Sequence, residues 1–392
     1  MKALKKIIKI FLIIIVSLAV IIYGGVFLGH KVIFPIKTSN VPTIDPVTDG
    51  TLTLGVQAHT SQPETIDEYI LVLAEQVKRY NEMAPGFWPN NALVNQSVIA
   101  EGIRSKKLWL IAPDGTITPI SIREAENYGC QRQAYVNGFT SYDGGFYLAI
   151  SEEDLTNYLI WQKYLHLGTY DQFFGFTHEG FHILEQPKWQ VMDNIPNRGR
   201  NEFLDNTAAR AKRDLLQRQL LKAVSEPGNT RLILDALATY TDWKEQFPDD
   251  YKNSIYFERI EGTAQYFELV TGLYCGYPNQ IKNNDDFNRA LALIATREDI
   301  YVGHGLINEC YTVSGFSCVL LDRLESDWKE RLMRDSEATP IEMLHQHFKD
   351  EDLPAPVQLA QEEIDAIADE IQKPVVNKGM PLFFKALYDM LF

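Results

Sequence analysis

Hydrophobic and polar positions along this chain follow two periods, one typical of helices and one typical of strands. Within residues 65–80 the apolar side chains recur three and four positions apart, which predicts a helix buried on one face. Residues 108–122 alternate around Asp114-Gly115, a dipeptide that favours a two-strand hairpin. The apolar stretch 145–150 predicts a third strand, and helical spacing dominates from residue 155 onward. The pattern predicts an α+β fold that is predominantly helical with a small antiparallel sheet.

A different pattern occupies the N-terminus, where residues 10–29 carry no charged side chain. Twenty such residues are long enough to cross about 30 Å of hydrocarbon. Four lysines precede the run and a single lysine follows at position 31, so residues 1–9 are expected in the cytoplasm and the bulk of the chain outside, in the periplasm or the extracellular space. We favour an uncleaved signal anchor in the lipid bilayer over a cleaved signal peptide, because the run exceeds a usual signal-peptide core.

The composition of the chain bears on its domain organisation and on its binding partners. Residues 30–53, rich in Pro, Thr, Ser and Asp, predict a linker to an extracytoplasmic domain at 54–392. A net charge of −15 argues against nucleic acid as the main partner. The tail 380–392 is unusually apolar for a terminus. We expect it to dock on the domain, with partner or membrane contact as the alternative.

The cysteines bear on the redox environment. The chain has four, none in a CxxC pair, so they do not resemble a zinc knuckle. If most of the chain lies outside the cytoplasm, one or two disulfides are expected, with three ways to pair four cysteines. Sequence proximity favours a bridge from Cys310 to Cys318 or Cys275, and Cys130 is expected to be a buried thiol.

The stretch HEGFH at 178–182 carries the clearest chemistry. On a helix, positions four apart share a face, so His178 and His182 can direct two imidazoles at one metal ion. A tetrahedral zinc ion in a catalytic site keeps a position for water, and Glu179 is then placed to accept the proton of that water. Aromatic and aliphatic neighbours such as Phe176 and Phe181 predict that this helix is buried. A buried histidine pair is better explained by a metal than by a surface helix.

A zinc site needs a third protein ligand, and two carboxylates compete for the role. Glu261 lies beside the small residues Gly262 and Ala264, which would let its helix pack tightly against the HEGFH helix. Glu258 and Gln265 share its helical face, so either could orient a ligand histidine through a hydrogen bond. The alternative is Glu202, twenty residues after His182. We favour Glu261.

HEGFH followed at long distance by EGTAQY at 261–266 resembles the gluzincin class of HExxH zinc metallopeptidases, in particular its divergent membrane-associated members. The resemblance covers residues 145–330 and leaves a helical C-terminal part at 331–392. It implies one Zn²⁺ held by His178, His182 and Glu261, Glu179 as general base, and a zincin-like domain with a sheet above a helical lower part. The spacing of Glu202 resembles the thermolysin-like arrangement, but Asn206 stands where that arrangement has an acidic residue.

Zinc peptidases of this kind bind the substrate backbone along an edge strand, and residues 146–150 are our candidate for that strand. They also need a donor that stabilises the oxyanion formed at the attacked carbonyl. Tyr301 and His304, in a glycine-rich segment, are our candidates. An ordinary sheet strand and a packed loop are the alternative interpretations.

The sequence thus predicts a membrane-anchored zinc metallopeptidase that hydrolyses peptide bonds of a peptide or protein substrate outside the cytoplasm. A second hypothesis is a non-catalytic, membrane-tethered module in which zinc stabilises an interaction surface. A third is a zinc hydrolase that acts on a non-peptide amide.

Overall fold

The computed structural model describes most of the chain between residues 65 and 372 and a short hairpin before it. The described residues are 23, 25–28, 47–54, 65–130, 139–142, 145–150, 171–189 and 206–372. Among these residues, no helix combines the length and the apolarity needed to cross a membrane. Most of the predicted anchor at 10–29, residues 155–170 of the predicted helical part and the apolar tail lie outside the described residues.

The described chain is mostly helical, as predicted. Its α-helices are Ile66–Met83 (α1), Ile122–Asn127 (α2), Asp171–Gly180 (α3), Thr207–Ser225 (α4), Thr230–Gln246 (α5), Pro248–Gly276 (α6), Asn284–Ala295 (α7), Glu298–Tyr301 (α8), Leu306–Leu324 (α9), Trp328–Arg334 (α10), Pro340–His347 (α11) and Gln361–Gln372 (α12). The prediction of a helix at 65–80 is confirmed by α1. Thr65 caps it by accepting from the backbone N–H of Glu68, and the Glu68 side chain returns the bond in a capping box.

Strands form a two-stranded hairpin and a separate five-stranded sheet. The hairpin pairs Val47–Thr48 (β1) with Thr53–Leu54 (β2). The larger sheet comprises Ser97–Gly102 (β3), Leu108–Ile111 (β4), Ile117–Ile120 (β5), Phe139–Tyr142 (β6) and Gly145–Ile150 (β7). The predicted hairpin is confirmed by β4 and β5, which are antiparallel and joined by a turn in which Gly115 has a φ of +82°. A positive φ favours glycine there.

The sheet order corrects two expectations. The strands run β5-β4-β3-β7-β6, and β3 pairs with β7 in parallel, so the sheet is mixed rather than antiparallel. β7 lies inside the sheet, between β3 and β6, so residues 146–150 are not an edge strand. The edge beside them is β6. The uninterrupted apolar sequence of β7 is typical of a strand buried on both faces, and all of its residues are buried.

The two faces of β7 separate a large core from a small one. Phe146, Leu148 and Ile150 face the core shared with the helices, whereas Tyr147 and Ala149 face a smaller cluster. On the helical side, the ring of Phe146 contacts Phe176 of α3 edge-on, with the ring centroids 5.5 Å apart. The sheet therefore supports the helix that carries the HEGFH sequence.

The four cysteines, Cys130, Cys275, Cys310 and Cys318, are all buried free thiols, which confirms the expectation for Cys130 and contradicts the expected disulfide. Cys310 and Cys318 stand on the same helix, α9, eight residues apart. At about 1.5 Å per residue, that separation is about 12 Å along the axis, beyond the span of a disulfide. Proximity in sequence is thus no guide to pairing inside a helix.

Candidate metal centre

The end of α3 presents both histidines of the HEGFH sequence. His178 lies in the last turn of α3, and His182 lies in a π-helical segment, Phe181–Glu185, that continues it. Phe181 is fully buried and stacks on Phe267 of α6, with the ring centroids 4.5 Å apart. That contact holds the histidine-bearing turn against α6. Single π-helical turns within α-helices are frequent at functional sites.

Three donor atoms converge between α3 and α6. His182 Nε2 lies 3.1 Å from His178 Nε2 and 3.2 Å from Glu261 Oε2. His178 Nε2 lies 3.7 Å from the same carboxylate oxygen. Ligand atoms at 2.0–2.1 Å from a tetrahedral zinc ion are separated by about 3.3 Å. His178, His182 and Glu261 therefore have spacings that a single zinc ion would fit.

Gln186 sets the tautomer of His182. Its amide nitrogen donates to the carbonyl oxygen of Ile260 at 2.7 Å and to Thr263 Oγ1 at 3.1 Å. The amide oxygen therefore faces His182 Nδ1, at 2.7 Å, and an oxygen there requires a proton on Nδ1. The Nε2 lone pair of His182 is left to face the other donor atoms. This arrangement prepares the ring for a metal.

Glu268 orients His178 as Gln186 orients His182, but it does so with a carboxylate instead of an amide. Its carboxylate lies 2.9 Å from His178 Nδ1 and is almost fully buried. Burial opposes the protonation of His178, yet hydrogen bonds to Glu261 and Glu268 outweigh it and raise the pKa of His178 to about 10. Burial acts to raise the pKa of Glu261, but the two histidines outweigh it and hold that pKa well below its usual range. The cluster thus already favours a positive charge at its centre.

Glu179, His182 and Glu261 share one cavity of about 420 Å³. Glu179, His182, Gln186 and Glu261 contribute its polar lining. Glu179 is partly exposed, so its carboxylate can meet a molecule that enters the cavity. A base beside a metal site and open to solvent is what hydrolysis by a metal-activated water requires.

Tyr311 of α9 is a site residue that the sequence interpretation missed. Its hydroxyl donates to Glu261 Oε2 at 3.1 Å, its ring centroid lies 5.9 Å from that of His178, and it lines the cavity. Tyr311 is the last residue of the segment DIYVGHGLINECY, in which the earlier Tyr301 and His304 drew attention instead.

Tyr301 and His304 are not among the described residues that line this cavity. His304 Nε2 faces Glu370 at 3.5 Å and Asp214 at 3.9 Å. The ring of Tyr301 packs edge-on against Phe316, and burial raises its pKa. Both residues precede α9 in the chain, whereas Tyr311 stands more than one turn inside it. Of these three residues, Tyr311 is the one that lines the cavity.

The close approach of α6 and α9 explains why Tyr311 reaches Glu261. A Cβ atom added to Gly262 would lie 2.2 Å from Ser314 Cβ and 2.9 Å from the carbonyl oxygen of Cys310. The absence of a side chain at Gly262 therefore lets α9 pack closely against α6. The close neighbour of Gly262 is α9 and not the HEGFH helix. This corrects the partner that was expected for Gly262.

A buried ion cluster joins the same two helices. Arg213 of α4 donates to Glu258 of α6 at 2.8 Å and lies 3.5 Å from Glu309 of α9. Arg210 also pairs with Glu309. Glu258, expected to orient a histidine, is thus bound to Arg213 instead. Gln265 reaches His178 only indirectly: burial raises the pKa of Glu268, and a hydrogen bond from Gln265 partly opposes that rise.

The residues that orient the two histidines, Gln186 and Glu268, could have been predicted from helical spacing. Gln186 stands four residues after His182, and Glu268 stands seven after Glu261, two turns along the same face. The alternative ligand Glu202 lies outside the described residues.

Comparison of the chain with protein-family models, with curated proteins and with solved structures found no match. The site must therefore be judged on its geometry and chemistry.

Proposed function

We propose that this protein is a zinc-dependent hydrolase of peptide bonds, with His178, His182 and Glu261 as the zinc ligands. The observation that carries the proposal is the convergence of three donor atoms at 3.1 to 3.7 Å. Both histidines also have their other ring nitrogen occupied. Two nitrogen lone pairs this close repel unless a cation or a proton lies between them. Two histidines and one carboxylate are also a typical ligand set of catalytic zinc.

The roles of the chain's own residues follow from their positions. When bound, zinc would polarise the substrate carbonyl and lower the pKa of a water molecule. Glu179 then accepts the proton of that water and donates it to the leaving amine. The hydroxyl of Tyr311 donates its single proton to Glu261 in the free site, and it turns to donate that hydrogen bond to the oxyanion that develops at the attacked carbonyl. Glu268 and Gln186 keep the imidazoles oriented.

The proposal includes a zincin-like fold and a location outside the cytoplasm. The support for the fold is that α3 packs on the sheet through Phe146 and Phe176, while a later helix, α6, supplies Glu261. In this arrangement β6, the sheet edge next to β7, would take the extended substrate. The support for the location is the charge pattern around residues 10–29.

The test is the substitution Glu179→Gln. Because Glu179 accepts a proton but does not bind the metal, the variant should keep the zinc content of the wild type and lose proteolysis of a fluorescent casein. Glu245→Gln, an exposed position on α5, is the matched control and should keep both. Zinc is measured by mass spectrometry of the metal. Wild-type proteolysis by the Glu179→Gln protein would contradict the proposal.

A further inference from the structure

One part of the cavity lining is apolar. It is formed by Tyr256 and Ile260 of α6, by the ring of Tyr311 and by Pro187. Tyr256 and Ile260 are four residues apart, so they lie on one face of the helix. Ile260 directly precedes Glu261, which places this wall beside the proposed reaction centre.

The apolar wall is already supported before any ligand binds. Tyr256 contacts Phe257 edge-on, with the ring centroids 5.4 Å apart, and shares a cluster with Cys310 and Ile260. The carbonyl oxygen of Ile260 is held by Gln186, the residue that orients His182. A supported apolar surface binds an apolar group with little loss of conformational freedom.

Charge at the cavity adds a second preference. Glu179 brings to its polar side a carboxylate that would not bind the metal, whereas zinc would offset the charge of Glu261. An acidic side chain that enters beside Glu179 meets like charge in a partly buried place, which is unfavourable. A neutral apolar side chain meets no such repulsion.

We propose that the apolar wall of Tyr256, Ile260 and Tyr311 selects substrates with a bulky apolar or aromatic side chain next to the cleaved bond. This inference rests on the proposed zinc peptidase function and adds the class of substrate to it. A single contact of this kind in an apolar pocket discriminates by about 10- to 200-fold. The expected preference is therefore for residues such as Phe, Leu and Met, and against Asp and Glu.

A binding experiment tests the wall without relying on catalysis. Acetohydroxamic acid and 3-phenylpropanohydroxamic acid carry the same zinc-binding group and differ by a benzyl group. Calorimetry on the zinc-loaded full chain should show the phenyl compound binding at least about 10-fold more tightly. Ile260→Ala should reduce that ratio several-fold, and the exposed control Ile122→Ala should leave it unchanged.

The outcomes separate the two proposals. Equal affinity for both hydroxamates, or a ratio that Ile260→Ala and Tyr256→Ala leave at the wild-type value, overturns the apolar wall and leaves the zinc site standing. Failure to bind zinc at all overturns the proposed function, and the wall with it. A digest of a random peptide mixture by the wild type adds a readout of cleavage. Cuts without enrichment of apolar residues at the bond would also overturn the wall.

Discussion

At the scale of single residues, the two histidines are oriented by unlike partners. His178 Nδ1 donates to the carboxylate of Glu268 and His182 Nδ1 to the neutral amide of Gln186. Both partners direct an Nε2 lone pair to the site, but only Glu268 also brings a negative charge. The negative charge of Glu268 makes His178 the more basic of the two ligands. It also makes the surroundings of the site more negative, which favours the binding of a divalent cation.

Glu268→Gln should therefore weaken zinc binding by about 10- to 100-fold while the protein remains folded. The amide can still accept from His178 Nδ1, so the effect isolates the charge from the hydrogen bond. Zinc affinity is measured by competition with a chromophoric chelator. Glu245→Gln serves again as the exposed control. An unchanged affinity in Glu268→Gln would show that the carboxylate does not tune the ligand.

The buried thiols are expected to react slowly with an alkylating reagent while the protein is folded. Burial raises the pKa of Cys275, Cys310 and Cys318, and the nearby cations Arg79, Arg213 and Lys329 only partly oppose it. Because the thiolate is the reactive form, the native protein should react slowly with iodoacetamide at pH 8. Unfolding by denaturant should make the reaction fast. Mass spectrometry counts the added groups. Rapid native labelling of these three residues, or a mass that shows a disulfide, would contradict the structure.

At the scale of elements, the contact between α6 and α9 carries the arrangement of the site. Gly262 lets the two helices approach, and Arg213 binds an acid on each of them. Glu261 stands next to Gly262, and Tyr311 stands two residues after Glu309. The bond between Tyr311 and Glu261 therefore depends on how closely the helices pack.

Two alanine substitutions in this contact should have opposite outcomes. Gly262→Ala inserts a methyl group 2.2 Å from Ser314 Cβ, so we expect it to lower the free energy of unfolding by about 1–3 kcal/mol and to weaken zinc binding. The gain in helix propensity, about 1 kcal/mol, does not offset that overlap. Gly315→Ala meets Gln265 at an ordinary 3.4 Å and should be neutral or stabilising. Urea unfolding measures both, and equal stabilities would argue against the close contact.

Elements also show what a single sequence can predict. Helix α1 and the β4-β5 turn depend on local periodicity, on the Thr65 cap and on Gly115, so they were predictable. The position of β7 was not, because strand order depends on pairing with β3, more than forty residues earlier in the chain. The apolar run indicates burial on both faces, but it does not indicate which strands lie on either side.

At the scale of the whole molecule, the site joins parts that are far apart in sequence. HEGFH lies on α3, Glu261 and Glu268 on α6, and Tyr311 on α9. The sequence alone indicated the two histidines and Glu179 from local motif spacing, and it favoured Glu261 from the small residues beside it and from the resemblance of EGTAQY. It did not indicate which of nineteen tyrosines would approach, since that depends on the packing of α9. The positions of Glu258, Tyr301 and His304 relative to the site depend on such packing in the same way.

The most direct test of the account is the zinc stoichiometry of the purified protein, measured for the wild type beside Glu261→Ala and Glu202→Ala. Donor atoms from His178, His182 and Glu261 predict a single tightly bound zinc ion in the wild type and in Glu202→Ala. Glu261→Ala should lose it. A wild type without zinc, or a site emptied by Glu202→Ala and retained in Glu261→Ala, would contradict the account.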